Sequence, residues 1–122
     1  MTGDQIQQQF DRTIAVDFDD TIIVKVFGTL VPAADAIEAL HMLRESGYRI
    51  LIHSARSWHQ WPDKDSREQE MVDLLNEWEI PFDEVYVGAG KPPAMAYVDD
   101  RGLRFSNNWL DIARLILEKG KD

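Results

Sequence analysis

The stretch Thr13-Ile14-Ala15-Val16-Asp17-Phe18-Asp19-Asp20-Thr21-Ile22 holds the densest chemistry in the chain. An apolar run ends in a crowd of carboxylates followed by a hydroxyl. Side chains two apart on an extended chain point the same way. Asp17 and Asp19 can therefore reach one site where a strand opens into a loop. Like charges that close repel, and a hard cation such as Mg²⁺, which takes oxygen ligands, would compensate them. A solvated acidic turn would show the same residues with no ligand at all.

Other reactive side chains follow later in the chain. Ser54 comes after the apolar run YRILI, Lys91 lies in a glycine- and proline-rich turn, and Asp99 and Asp100 follow Met95 to Val98. Carboxylates could ligate Mg²⁺ while the lysine and the hydroxyl hold phosphoryl oxygens. One carboxylate in line with phosphorus could attack it to give a phosphoaspartyl group. The other, two residues on, would protonate the leaving alcohol and then deprotonate a water. A backbone N–H just after the nucleophile could steady the transferring oxygens.

The elements that must position these groups can be read in order. Arg12 to Phe18 reads as a buried strand. Ile22 to Val31, β-branched and interrupted by Gly28, reads as a short hairpin or flap. Pro32 is expected to open a helix with Ile37, Leu40 and Leu43 along one side, ended by Gly47. Tyr48 to Ile52 is a second strand emptying into His53-Ser54-Ala55-Arg56. A loop with Trp58, His59 and Trp61 leads to a helix capped by Asp65 or Ser66, with Met71, Leu74, Leu75 and Trp78 as its apolar side. Pro81 breaks that pattern. The third strand falls within Phe82 to Val87, and the fourth is Met95 to Val98. The last helix runs from about Asn108 to Lys119, with Ile112, Leu115 and Ile116 toward the core. Alternation of this kind predicts a mostly parallel sheet covered by helices on both faces. In such folds ligands sit at the carboxyl ends of the strands, where the polar candidates fall.

Composition narrows the function classes. The 122 residues make one domain, with 1–10 read as a flexible lead-in, and 44% are hydrophobic. No run approaches the roughly eighteen apolar residues of a membrane span, and the polar start is no secretory signal. With no cysteine there are no disulfides or thiolate metal sites, and a cytoplasmic location is expected. A formal net charge of -9 argues against an extended nucleic-acid surface. No His/Cys/Glu spacing points to zinc.

The motifs together resemble the haloacid dehalogenase-like superfamily of phosphohydrolases. Its first motif, Asp-x-Asp-x-Thr after a buried strand, is matched by Asp17-Phe18-Asp19-Asp20-Thr21. The second, a Ser or Thr after the next strand, is matched by Ser54, the third by Lys91, and the fourth by Asp99-Asp100. The likeness is closest to small bacterial and phage members with His53-Ser54-Ala55-Arg56 and Tyr97-Val98-Asp99-Asp100-Arg101 at the second and fourth motifs.

That resemblance implies a Mg²⁺-dependent phosphatase, a phosphomonoester hydrolase working through an aspartyl-phosphate. Asp17 would be nucleophile and metal ligand, and Asp19 the acid/base, lending its carbonyl to the metal. Ser54 and Lys91 would hold the phosphoryl group. Asp100 would be the direct metal ligand, with Asp99 a ligand or a water-mediated partner. Asp20 departs from the family, where glycine is frequent; it could repel phosphate, or face solvent and cap the turn. Thr21 is expected to fix the loop through its hydroxyl. Arg56 and Arg101 could contact phosphate or form ion pairs. Trp58 and Trp61 could stack on substrate, seal the site mouth, or serve as packing anchors.

No separate cap domain fits between the motifs. The expected architecture is thus a capless three-layer Rossmann-like domain with a short flap after the first strand. Its open site suits a phosphorylated small molecule or a phosphorylated polymer end, and a second copy or a partner protein could complete it. Three other readings compete. A phosphotransferase would share the first half-reaction. A non-catalytic relative would bind only Mg²⁺ and a phospholigand. A signalling receiver would need its phosphoacceptor Asp after the third strand, and here Ser54 and a late acidic pair fit the hydrolase pattern instead.

Overall fold

The computed structural model describes residues 2–5, 12–54, 62–86, 94–98 and 108–119. In chain order the elements are β1 (Thr13–Asp17), β2 (Ile23–Val26), β3 (Thr29–Pro32), α1 (Ala36–Glu45), β4 (Arg49–His53), α2 (Lys64–Glu77), β5 (Glu84–Val85), β6 (Ala96–Val98) and α3 (Trp109–Lys119). Of the expected lead-in, residues 1 and 6–10 lie outside the described residues. Between them, Thr2 and Gln5 exchange side-chain hydrogen bonds with each other's backbone N–H, in the manner of a capping box.

Burial along β1 explains the layers. Thr13, Ile14, Ala15 and Val16 are all buried, and a strand that buries consecutive residues must be covered on both faces. Ile50, Leu51 and Ile52 of β4 repeat the pattern. The main sheet has the order β5-β4-β1-β6, and every pairing in it is parallel. Helices flank it, with α1 and α3 packed against each other and Met71 and Leu75 of α2 joining the same core. The result is the expected three-layer α/β domain with a mostly parallel sheet, and no cap domain is present among the described residues.

The flap is present. β2 and β3 form a separate antiparallel ribbon, paired from Ile23↔Pro32 to Val26↔Thr29. Its two-residue turn, Phe27-Gly28, has positive φ at both positions (49° and 80°), as the twist of a tight hairpin requires.

Two helix starts differ from expectation. Pro32 does not open α1; it ends β3, where its missing N–H costs no ladder bond in a two-stranded ribbon. The Ala33 N–H donates to Ile22 O (2.7 Å), and the helix begins only after Asp35, whose backbone is left-handed. For α2, the cap position is Asp63 rather than Asp65 or Ser66. Its carboxylate makes no cap bond and instead accepts from Arg67 Nε at 2.9 Å. The far ends are alike. At α1, Tyr48 N–H donates to Leu43 O and Gly47 N–H to Arg44 O; at α2, Ile80 N–H donates to Leu75 O and Glu79 N–H to Asn76 O. Both are Schellman closures, with left-handed Gly47 (φ 92°) in one and Glu79 (φ 53°) in the other.

Candidate functional site

The site is built where β1 ends. Asp17, its last residue, is half-buried, and its Oδ1 accepts the N–H of Phe18 at 3.0 Å. Phe18 itself is fully buried and pins the start of the loop into the core. Its carbonyl accepts the N–H groups of both Ile22 and Ile23 at 3.1 Å, while Asp20 N–H donates to Ile23 O at 2.8 Å. The loop is therefore a closed, hydrogen-bonded turn rather than an open one.

Such a turn demands an unusual backbone at its apex. Asp20 has φ 61° and is exposed. A left-handed residue there is why glycine suits this position, and aspartate is among the few other types that tolerate it. Of the two alternatives for Asp20, the described geometry matches a side chain facing solvent on a tight turn. Thr21 is buried at 3% exposure, beneath the loop rather than at its mouth.

Sheet register brings the second expected motif alongside. β1 and β4 are aligned with Asp17 opposite His53, so Ser54 leaves β4 beside the point where the loop leaves β1. The Ser54 hydroxyl reaches Asp19 Oδ2 at 3.5 Å, the outer limit of a hydrogen bond. On the other flank β6 ends at Val98, in register with Val16. The structure thus gathers Asp17, Asp19 and Ser54 at the carboxyl end of the central strands. Arg56, Trp58, Trp61, Lys91, Asp99, Asp100 and Arg101 lie outside the described residues.

This geometry corrects the expected chemistry. Among the described residues, no group of three or more His, Cys, Asp or Glu side chains is placed to hold a metal ion. The Mg²⁺ centre expected from Asp17 and Asp19 is not formed by them with any third ligand there. The other two expected ligands, Asp99 and Asp100, are outside the described set. The phosphatase mechanism leaned on that cation to offset the repulsion between an attacking carboxylate and a phosphoryl group. The readings of a magnesium protein, of a phosphomonoester hydrolase and of an enzyme with a defined phosphatase centre are withdrawn with it.

A residue that sequence reasoning passed over supports the loop from below. Trp109, the first residue of α3, is fully buried, and its indole N–H donates to the carbonyl of Thr21 at 2.9 Å. The signal was present: Trp109, Ile112, Ala113 and Ile116, all buried, recur at the spacing of one helix face. Leu115, expected toward the core, is instead 42% exposed.

No helix among the described residues is long and apolar enough to cross a membrane. No protein-family model matches the chain, and neither does any curated protein. Two solved structures are similar in fold. A conserved protein from Bacteroides thetaiotaomicron superposes with a TM-score of 0.61 at 23% identity, over 88% of this chain and 90% of its own. A target protein from Vibrio cholerae superposes with a TM-score of 0.56 at 22% identity, over 90% of this chain and 97% of its own. At that identity the likeness concerns architecture: this chain is a small Rossmann-like α/β domain.

Proposed function

We propose that this chain is a haloacid dehalogenase-like domain used for binding rather than turnover. Its ligand is a phosphorylated small molecule or a phosphorylated polymer end, held at the carboxyl ends of β1 and β4. One observation carries the reading: the Asp17–Thr21 loop and Ser54, far apart in sequence, meet at the end of the central strand pair, where Ser54 approaches Asp19. Ligands of parallel α/β sheets collect at that edge.

The chemistry assigns a role to each group. Ser54 offers a hydroxyl to a phosphoryl oxygen, and the backbone of the Asp17–Thr21 loop shapes the floor. Carboxylates alone would repel an anion, so the cations Lys91, Arg56 and Arg101 supply the opposing charge. Trp58 and Trp61 offer aromatic faces to a base or sugar. With no cap domain among the described residues, such a site would leave room for a polymer end or for a second protein to complete it, and a cytoplasmic setting suits such ligands.

The test is a titration of ¹⁵N-labelled protein followed by amide shifts. The probes are inorganic phosphate, nucleoside monophosphates, sugar phosphates and 5′- or 3′-phosphorylated oligonucleotides, each beside its unphosphorylated counterpart. Shifts at Asp19, Thr21 and Ser54 with phosphorylated probes only, weakened about tenfold by Lys91→Ala, are the expected result; tenfold corresponds to about 1.4 kcal/mol, within the range of one charge-assisted hydrogen bond. Equal responses to both members of each pair, or none at this loop, would end the reading.

A further inference from the structure

We infer that Trp109 is a positioning residue for the candidate site, holding the Asp17–Thr21 loop in its binding conformation through the bond from its indole N–H to the Thr21 carbonyl. The inference rests on the binding role proposed for that loop, but the contact itself does not.

Three features point to positioning rather than packing alone. First, the bond spans 88 residues of sequence and joins α3 to the loop, not to another helix. Second, the carbonyl it engages lies next to Ile22 and Ile23, whose N–H groups close the loop onto Phe18 O. The loop is thus tied from inside by Phe18 and from beneath by Trp109. Third, the turn contains left-handed Asp20, a conformation that even aspartate adopts less readily than glycine and that tertiary contacts help to hold. A tryptophan fully buried at a helix start can supply that constraint, because its ring sits in the hydrophobic core while its indole N–H donates to the loop.

The consequence is that α3 and the site are one mechanical unit. If the indole N–H is lost, the Thr21 carbonyl loses its partner beneath the loop and the loop gains access to other conformations. Any ligand held by Ser54 and the backbone of this loop would then bind a fraction of the population, and its apparent affinity would fall in proportion.

The experiment replaces Trp109 with its sulfur isostere, benzothienylalanine, which keeps the ring shape and removes the N–H donor. Trp109→Phe serves as a second variant. Two readouts are taken on each: native-state hydrogen exchange of Ile22 and Ile23 amides against that of Ile50 and Ile52, and the affinity for inorganic phosphate by amide shifts. The expected result for the isostere is exchange about tenfold faster at Ile22 and Ile23, with Ile50 and Ile52 unchanged, and phosphate affinity about tenfold weaker. Unchanged exchange at the loop overturns the inference whatever phosphate does. Faster exchange with unchanged affinity overturns the positioning role and leaves a purely structural bond. If wild-type protein ignores phosphate and every other phosphorylated probe, the binding role fails instead. Exchange then still decides whether Trp109 holds the loop. Should either variant not fold, protection of the indole Nε1–H of Trp109 in the wild-type protein replaces it, and exchange as fast as that of an exposed indole overturns the bond.

Discussion

The two ends of the parallel sheet are finished in opposite ways. At the amino ends of the strands, charge is matched: Arg44 pairs with Asp83 and Arg49 with Glu84. Arg12 donates to Ser46 O at 2.7 Å, and its guanidinium lies 4.4 Å above the Tyr48 ring. At the carboxyl ends, among the described residues, Asp17, Asp19 and Asp20 crowd one short turn with Ser54 against it. Opposite charges in contact help to close a surface, whereas like charges crowded on one turn call for compensation, from within the chain or from a ligand. The first end reads as stability and the second as function.

Not every bond at the matched end counts equally. Arg44–Asp83 and Arg49–Glu84 are substantially exposed, and such pairs contribute roughly 0–1 kcal/mol. Asp83 matters for a different reason, because its Oδ2 also accepts the N–H of Ile50, a fully buried residue, at 2.7 Å. Asp83→Ala is expected to lower stability by about 1–3 kcal/mol, the range for leaving a buried donor without its acceptor. Arg44→Ala is expected to cost well under half of that. Urea unfolding of both variants checks the ranking. If Arg44→Ala costs as much as Asp83→Ala, the matched end is held by its ion pair rather than by the backbone bond.

How far the sequence foretells these ends depends on whether the deciding contact is local. β1 is legible because its short apolar run, ending in a crowd of carboxylates, reads as a strand buried on both faces. The hairpin is legible because its β-branched run is interrupted at Gly28. The start of α1 misleads, since Pro32 suits the first turn of a helix and the end of an edge strand equally well. The Ala33–Ile22 backbone bond decides between them. Trp109 falls in a legible helix, yet its role depends on a carbonyl 88 residues away. The acidic turn is legible as an acidic turn; that its carboxylates find no third metal-binding neighbour among the described residues is a matter of three-dimensional placement.

Left-handed residues allow the two ends to be compared at equal backbone geometry. Glu79 closes α2 at the matched end with φ 53°, and Asp20 crowns the loop at the acidic end with φ 61°. Replacing either with glycine relieves the same steric conflict, so both should stabilise. Glu79→Gly is expected to gain about 1 kcal/mol, and Asp20→Gly roughly half of that because aspartate tolerates the conformation better. Only Asp20→Gly removes a negative charge beside the proposed phosphate site, so only it should strengthen the response to inorganic phosphate. Thermal melts and phosphate titrations of both variants separate the two effects. A Glu79→Gly protein that gains phosphate affinity, or an Asp20→Gly protein that loses it, would break the assignment of function to one end.

The smallest effect belongs to the start of α2, where Asp63 faces Arg67 one turn on. The hydrogen bond from the Arg67 guanidinium holds the Asp63 carboxyl below its ordinary pKa, outweighing the opposing desolvation. For a carboxylate depressed in the folded state, the stabilisation is present above the ordinary value and disappears as pH falls through the lowered one. Asp63 is exposed, so this should be a local event at the helix end and not a global transition. Its side-chain titration, followed by NMR, should have its midpoint rise in Arg67→Gln while the acid unfolding midpoint stays in place. A large shift of the unfolding midpoint would mean that this exposed pair secures the helix packed into the core, and that ion pairs contribute to stability away from the matched end as well.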